Sequence, residues 1–517
     1  MNQIEFSSLV RSISQTTNRS LAGARIWVAP DFQSVRPHNF EEAANEWGMR
    51  LFFNDSDRSL CAIELHDTFA TVDGEKVTYS HDCLCDSLQS LRTEDKSAAE
   101  KINLAYDGMP VVRHITDEYV KSGVLQDERI AVSLIIEPKT AVLLLELQRA
   151  GAQVAVYATA AEVHQAVADE LKERGIGVYA DSQWTPSQEH AAALQLLDDM
   201  KPTIIIDDGA SFARLAQLER PNLVPAIRGV AEETTSGVRA FEAMEASQAL
   251  PYPVIASNDS QLKTGFDNVH GTGESCATTF LQIMDDNYPL ESGTMAVIGF
   301  GPVGRGFARR MRSLGARVVI VEQSATAALK AQYEGFEVMP LSQAALECDC
   351  LISATGVYHT IDLPVLQKIE DGTVLGVIGG IANEIALDDL TAITHQDISP
   401  AVPLTQLDLG NGKSARLIAS ADGMNYTVSS GNPIEIMDLS FAVQLNAIRM
   451  LIENDGELEH RVIRMNKDID EQIARSALAA RGAEIDESQT LVTDWTKTRF
   501  STSSHSSTKS QEENSHA

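Results

Sequence analysis

Cysteine is scarce in this chain: six residues in 517, at Cys61, Cys83, Cys85, Cys276, Cys348 and Cys350. That is too few for a disulfide framework to carry the fold. Long apolar runs are missing too, since no stretch reaches the roughly 18 continuous apolar residues a membrane-spanning helix needs. Positive charge is in deficit. Lys plus Arg number 41 against 73 Asp plus Glu, a formal net charge of −32. Such a balance repels phosphate backbones and anionic membrane surfaces, and no basic patch offsets it, so neither nucleic acid nor a membrane is expected as a partner. The N-terminal MNQIEFSSLVRSISQ lacks the basic start and apolar segment of a secretion signal, which predicts a cytoplasmic protein. Clustered metal ligands are lacking as well. Cys83-Leu84-Cys85 beside His81 and Cys348-Asp349-Cys350 are CxC pairs with no matching second pair, and the twelve histidines form no HExxH pattern, so no metal is expected.

What is present is ordinary globular composition, 44% hydrophobic and 22% charged, in a length suited to two or three domains. Residues 1–105 read as a small α+β extension, with RIWVAP (25–30), MRLFF (49–53) and LCAIEL (60–65) as strands and Asp73-Gly74 as a hairpin turn. From about residue 106 to 273 the pattern alternates. IAVSLII (130–136), QVAVYAT (153–159), GVYA (177–180) and TIIIDD (203–208) are short apolar strands separated by amphipathic helices. A second alternating unit, 274–433, begins with TMAVIGFG, GRGFARRMRSLGA and RVVIVE. Apolar strands alternating with helices predict parallel sheets covered on both faces. The fold class is therefore α/β, two doubly wound, Rossmann-like parallel-sheet domains with the small α+β extension. A long helix from 434 to 453 opens a C-terminal segment, to about 495, that packs back on the first α/β domain. The Ser-rich stretch 496–517 reads as a disordered tail.

The strongest local motif is Gly299-Phe300-Gly301-Pro302-Val303-Gly304, which follows a strand and opens a helix. The first glycine permits the turn, Gly301 lets the backbone approach a pyrophosphate, and Gly304 lets helix and strand pack closely. Glu322, at the end of the next strand, suits the ribose hydroxyls of NAD and repels a 2′-phosphate. Asp207-Asp208-Gly209 ends a predicted central strand, where ligands bind in open α/β sheets; an N-cap role accounts for it equally well. Glu232 to Gly237, Ser257 to Ser260 and Lys263 to Asn268 put acids, hydroxyls and a lysine on loops between the two α/β units. A lysine among carboxylates near a nicotinamide suits removal of a hydroxyl proton while hydride leaves carbon.

On these blocks the chain resembles the S-adenosylhomocysteine hydrolase (adenosylhomocysteinase) family. IRGVAEETTSGV, SNDSQLKTGFDNVHG, VIGFGPVGRGFARRMRSLGARVVIVE and YEGFEV carry the resemblance, which runs from about Met109 to Glu453. It implies a bound NAD that oxidises the 3′-hydroxyl of a nucleoside-like substrate, elimination of the 5′ thioether, addition of water and re-reduction. It implies a homo-oligomer, dimer or tetramer. By position it implies Asp208 as acid/base, with Glu233, Lys263 and Asp267 holding and deprotonating the ribose hydroxyls. Thr234, Thr235, Ser236, Asn268, the glycine motif, Glu322 and Asn425 would hold the cofactor.

The departures from the family pattern fall in a group. Ile135 stands for a histidine, Glu137 and Lys139 for the threonine and glutamate that read ribose and adenine, Gly380-Ile381 for His-Phe, Asn432 for a histidine and Thr272 for a cysteine. The family's C-terminal Lys and Tyr have no counterpart. A site built around particular polar groups rejects analogues that leave them unmatched, so the expectation is a retained oxidation step with altered substrate specificity. Authentic S-adenosylhomocysteine hydrolysis, an NAD-binding non-catalytic sensor or scaffold, and a plain 2-hydroxy-acid dehydrogenase are the alternatives.

Overall fold

The aliphatic runs form the strands of two seven-stranded sheets, and a third, five-stranded sheet lies in the extension. The computed structural model describes residues 5–79, 96–284, 288, 290, 292–379, 381–399 and 402–486. The CxC pair at Cys83 and Cys85, Gly380 and the Ser-rich tail lie outside the described residues.

In the first large sheet the spatial order is Val462–Arg464, Val254–Ala256, Gly229–Glu232, Ile204–Asp207, Arg129–Ser133, Gln153–Tyr157 and Gly177–Tyr179. Every pairing in it is parallel. The second runs Glu337–Val338, Arg317–Val321, Thr294–Ile298, Cys350–Ser353, Val374–Val377, Ser414–Ile418 and Leu404–Asp408. Only its last pair is antiparallel, joined by the polar hairpin at Gly410 to Gly412. Strands such as Ile204–Asp207, Gly229–Glu232 and Thr294–Ile298 are almost wholly buried, as sheets covered on both faces require. The α/β, Rossmann-like class is thus present in both units.

Several boundaries differ from expectation. The first strand stops at Ser133, not Ile136, because Pro138 opens the next helix. The helix that the glycine motif opens starts within the motif, at Pro302, since a proline fits the first helical turn, where its missing N–H costs nothing. Lys263 to Asn268, expected on a linking loop, lies in the π-helix Lys263–Gly271, which runs into the α-helix Thr272–Met284.

The chain crosses from the first unit to the second through that continuous helix and returns through Met424–Thr427 into Ile434–Glu453. The long helix packs on Pro110–Ser122. There the Asp438 carboxylate accepts from the N–H groups of Val111 (3.1 Å) and Val112 (2.8 Å), and the Tyr119 hydroxyl donates to Leu445 O at 2.9 Å. Cys348 and Cys350 are buried in the second unit as free thiols, filling core.

The extension does not stand apart. Phe6, Leu9 and Trp47 share one apolar core with Phe280, Phe307 and Met311. The buried Glu274 carboxylate accepts from Leu21 N (2.7 Å) and Ser20 Oγ (2.9 Å). At the return crossing, Ile434 N donates to Asn18 O at 3.0 Å and the Arg19 guanidinium pairs with Glu435.

Candidate active site

A cavity of about 870 Å³ opens between the carboxyl ends of the two parallel sheets, where open α/β sheets bind their ligands. One wall is the glycine turn. Gly299 has φ +99°, a left-handed conformation costly for any side chain. A methyl at Gly304 would lie 2.1 Å from the Gly299 carbonyl oxygen, so only glycine fits between strand and helix. Gly301 caps the helix Pro302–Ser313, and a Cβ there would meet nothing within 4 Å. It therefore faces open space at a helix N-terminus, with Pro302 and Val303 beside it on the cavity wall. Exposed N–H groups and the positive end of the helix dipole suit an anion there. Glu322 also lines the cavity, its carboxylate fixed by Phe300 N (2.7 Å) and Ser324 N (2.8 Å). The space in front of Gly301 and the placing of Glu322 fit a dinucleotide.

The floor is a cluster of buried charge. Lys263 begins the π-helix, whose wider turn brings residues four and five positions on to the same face. Its Nζ lies 2.6 Å from Asp267 Oδ2, 3.0 Å from Asn268 Oδ1 and 3.8 Å from Glu233 Oε1. Burial works to lower the Lys263 pKa, but the Asp267 and Glu233 carboxylates outweigh it and hold the ammonium above its ordinary value. Glu233 accepts from Ser440 Oγ at 2.5 Å and from the Gln444 amide, both on the returning long helix. Burial pushes the Glu233 carboxyl up to about 7 despite Lys263. Asp208 is likewise raised to about 7, first by burial and then by the nearby Glu162. These two acids are poised for proton transfer near neutrality.

The two adjacent aspartates divide the readings drawn from sequence. Asp207 is fully buried, and its carboxylate accepts from Phe212 N (3.1 Å) and Ala213 N (2.8 Å), holding the next helix. Asp208 lines the cavity.

Thr234 caps the helix Thr235–Ala246, accepting from Gly237 N at 3.2 Å, with Ser236 Oγ 3.2 Å from its hydroxyl. The Thr235 hydroxyl donates to Asn258 Oδ1 at 3.2 Å, and the Asn268 amide reaches the same oxygen at 3.3 Å. Asn425, from the return crossing, donates to Ser275 Oγ (3.1 Å) and Asn432 Oδ1 (2.8 Å). Asn432 in turn donates to Asp267 and to Thr272 Oγ1. Of the catalytic and cofactor-binding residues that the family resemblance implies, all line this cavity except Gly304, which packs against the Gly299 carbonyl.

Other members carry no sequence motif. Glu162 and Tyr426 line the cavity from opposite units. Glu384, fully buried, accepts from Ser353 Oγ (2.5 Å), Thr355 N (2.8 Å) and Gly356 N (3.1 Å), shaping the loop that follows Cys350–Ser353. A second chamber, about 70 Å³, adjoins the main one through Ile135, Glu137, Glu162 and Tyr426. Thr16, Thr17 and Asn18 of the extension line it, although nothing in the extension's sequence suggested a place at the site. Away from the cavity, His359, Asp388 and Asp389 are the one cluster of potential metal ligands among the described residues; it is largely exposed, and His359 Nε2 already lies 2.7 Å from Asp388.

Comparison with known proteins gives two family matches, "S-adenosyl-L-homocysteine hydrolase" over residues 90–220 and "S-adenosyl-L-homocysteine hydrolase, NAD binding domain" over 271–431. The chain is 37% identical over 392 residues to the adenosylhomocysteinase of Thermococcus kodakarensis, covering 76% of this chain and 92% of that protein. It is 36% identical over 389 residues to the adenosylhomocysteinase of Thermotoga maritima, covering 75% and 95%. It is also 36% identical over 399 residues to the S-inosyl-L-homocysteine hydrolase of Methanopyrus kandleri, covering 76% and 93%.

Proposed function

Because the chain belongs to the S-adenosyl-L-homocysteine hydrolase family, an NAD-dependent hydrolase family, we propose that it cleaves a nucleoside thioether by transient oxidation of a ribose hydroxyl, with a substrate preference changed at the base. The observation that carries this reading is the Lys263, Asp267, Glu233 and Asn268 cluster, set on the floor of the cavity that the Gly299–Gly304 turn enters. Bound NAD supplies a hydride acceptor and, at the end of the cycle, the hydride donor.

The protein's own groups handle the protons. Lys263, held as an ammonium, donates to the oxygen that becomes the ketone and steadies negative charge on it. Glu233, with its carboxyl near 7, takes the proton from that hydroxyl, and the Ser440 and Gln444 hydrogen bonds keep it aimed. Asp267, bridged to Lys263 and Asn432, fixes the lysine's position. Asp208, which also lines the cavity and is equally near 7, removes the proton on the carbon next to the ketone. The electron pair left there expels the 5′ sulfur as a thiolate, and Asp208 returns the proton after water has added. Cofactor-binding roles go to Thr234, Thr235, Ser236, Asn268, Gly299, Gly301, Pro302, Val303, Gly304, Glu322 and Asn425. The same reading carries a homo-oligomer of two or four copies, which light scattering tests.

The changed preference rests on Ile135, Glu137 and Lys139, which bring an aliphatic chain and a buried ion pair (Lys139 Nζ to Glu137 Oε2, 2.6 Å) to the cavity's inner end. The adenosyl and inosyl substrates in the relatives' names are the two readings to separate. Release of homocysteine from each thioether, measured side by side, decides: turnover of either supports the reaction, and inertness toward both with NAD bound contradicts it.

A further inference from the structure

Two buried polar side chains in the second chamber keep unused hydrogen-bonding capacity. The Asn18 amide nitrogen donates to Ser430 O at 2.7 Å, which fixes the amide's orientation and turns Oδ1 the other way. That Oδ1 is buried and has no hydrogen-bond partner among the described residues. Lys139, 1% exposed, donates to the same Ser430 O at 2.6 Å and to Glu137 Oε2 at 2.6 Å. An ammonium carries three N–H groups, so one remains. A buried acceptor without a donor is costly, and the third Lys139 N–H is available beyond its two bonds. The Asn18 amide nitrogen and Lys139 Nζ converge on one carbonyl oxygen, so the two side chains are neighbours; Leu104, Ala105, Ile136, Pro138 and Ile434 give the chamber apolar wall, with Lys101, Glu162 and His164 also lining it. Glu137 packs against Gly431, whose φ of +69° and missing Cβ leave it room; a methyl there would lie 2.7 Å from Glu137 Oε2.

We propose that this chamber is a base-recognition subsite completed by the N-terminal extension, and that it takes a planar heterocycle with a ring carbonyl beside a ring N–H, as in a 6-oxopurine nucleoside. The inference rests on the nucleoside reading of the main cavity and deepens it. The carbonyl oxygen accepts from Lys139, a charge-assisted bond, stronger than a neutral one. The ring N–H donates to Asn18 Oδ1. The apolar walls cover the faces of the ring. An amino group at the same ring position would place a donor against the Lys139 ammonium. Asn18 belongs to the extension, which precedes the first family match at residue 90, so the specificity comes from a segment outside the matched family regions. Its backbone is left-handed (φ 51°, ψ 30°) as the C-cap of the helix Phe6–Thr17. Asn18→Gly therefore deletes the side chain while keeping a conformation glycine adopts freely.

The experiment uses the full chain loaded with NAD and follows the near-ultraviolet band of reduced nicotinamide while inosine or adenosine is titrated in. The half-saturating concentration of inosine is expected to be about tenfold below that of adenosine, the worth of one well-made buried hydrogen bond. Asn18→Gly is expected to raise it about tenfold for inosine and less than about twofold for adenosine. Lys139→Met combined with Glu137→Gln removes both charges, leaves neither ion alone, and is expected to abolish the preference. Reduction by both nucleosides with adenosine equal or better, or an Asn18→Gly protein with unchanged discrimination, overturns the base assignment while leaving the oxidation chemistry standing. No reduction by any nucleoside in fully loaded protein overturns the nucleoside reading itself, and this subsite with it.

Discussion

Lys263 Nζ lies 2.6 Å from Asp267 Oδ2, one wide π-helical turn further along the chain. The pair is nearly inaccessible to solvent and shares its cavity with the Gly299–Gly304 turn. A buried ammonium so close to a carboxylate stays charged, so its work is to hold and polarise an oxygen. Lys263→Ala is therefore expected to retain NAD and to lose about 10²–10⁴-fold in the rate of cofactor reduction. Stopped-flow absorbance on variant protein of measured NAD content checks this. A variant that reduces NAD at the wild-type rate refutes the role.

The glycines of the phosphate turn should fail in different ways. Gly301 has an ordinary extended backbone (φ −71°, ψ −175°) and open space before it. Gly301→Val is expected to fold normally and emerge without dinucleotide, since its side chain occupies the pyrophosphate's place. Gly304→Ala pushes a methyl into the Gly299 carbonyl and is expected to lose about 1–3 kcal/mol of stability from overpacking. Cofactor content and thermal unfolding, measured on both, separate the two effects.

Glu233 links the site to pH. Burial raises its folded carboxyl to about 7, above the ~4.3 of a free glutamate. Between those values the folded chain keeps a proton that the unfolded chain has released, so this group's contribution to stability declines as pH rises toward 7 and then levels off. Glu233→Gln removes that dependence. On dinucleotide-free protein the variant should gain on wild type by on the order of 2 kcal/mol between about pH 5 and pH 8. A stability difference between the two that does not change with pH contradicts the buried, raised carboxyl.

Glu274 ties the extension to the first crossing. Its carboxylate accepts from Leu21 N and Ser20 Oγ in a fully buried setting. Glu274→Ala strands a buried N–H, at a cost of about 1–3 kcal/mol, and is expected to make residues 5–79 the first to be cut in limited proteolysis. Cleavage at the wild-type rate would show that the extension is held without this contact.

Much of this was legible in the sequence. The apolar runs 130–136, 203–208 and 294–298 marked buried parallel strands because polar residues bound them and helices separate them. The Gly299–Gly304 motif with Glu322 marked the dinucleotide turn because each position answers a steric or hydrogen-bonding need. The roles of Asp207 and Asp208 could not be parted, since adjacent residues of one type differ only in which way the chain turns them. Nor did the sequence reveal the π-helix: helical periodicity was hidden by Thr264-Gly265 and a run of polar residues. Asn18 was invisible for a different reason. Its place at the second chamber depends on contacts more than 400 positions away, with Ser430 and Ile434, and no local pattern encodes them.

The most direct test of the central claim is the near-ultraviolet band of reduced nicotinamide in NAD-loaded wild-type protein mixed with a nucleoside or its homocysteine thioether. The account predicts that the band grows on mixing and, with the thioether, decays as homocysteine appears. A loaded protein that shows no such band with adenosine, inosine or either thioether would contradict it.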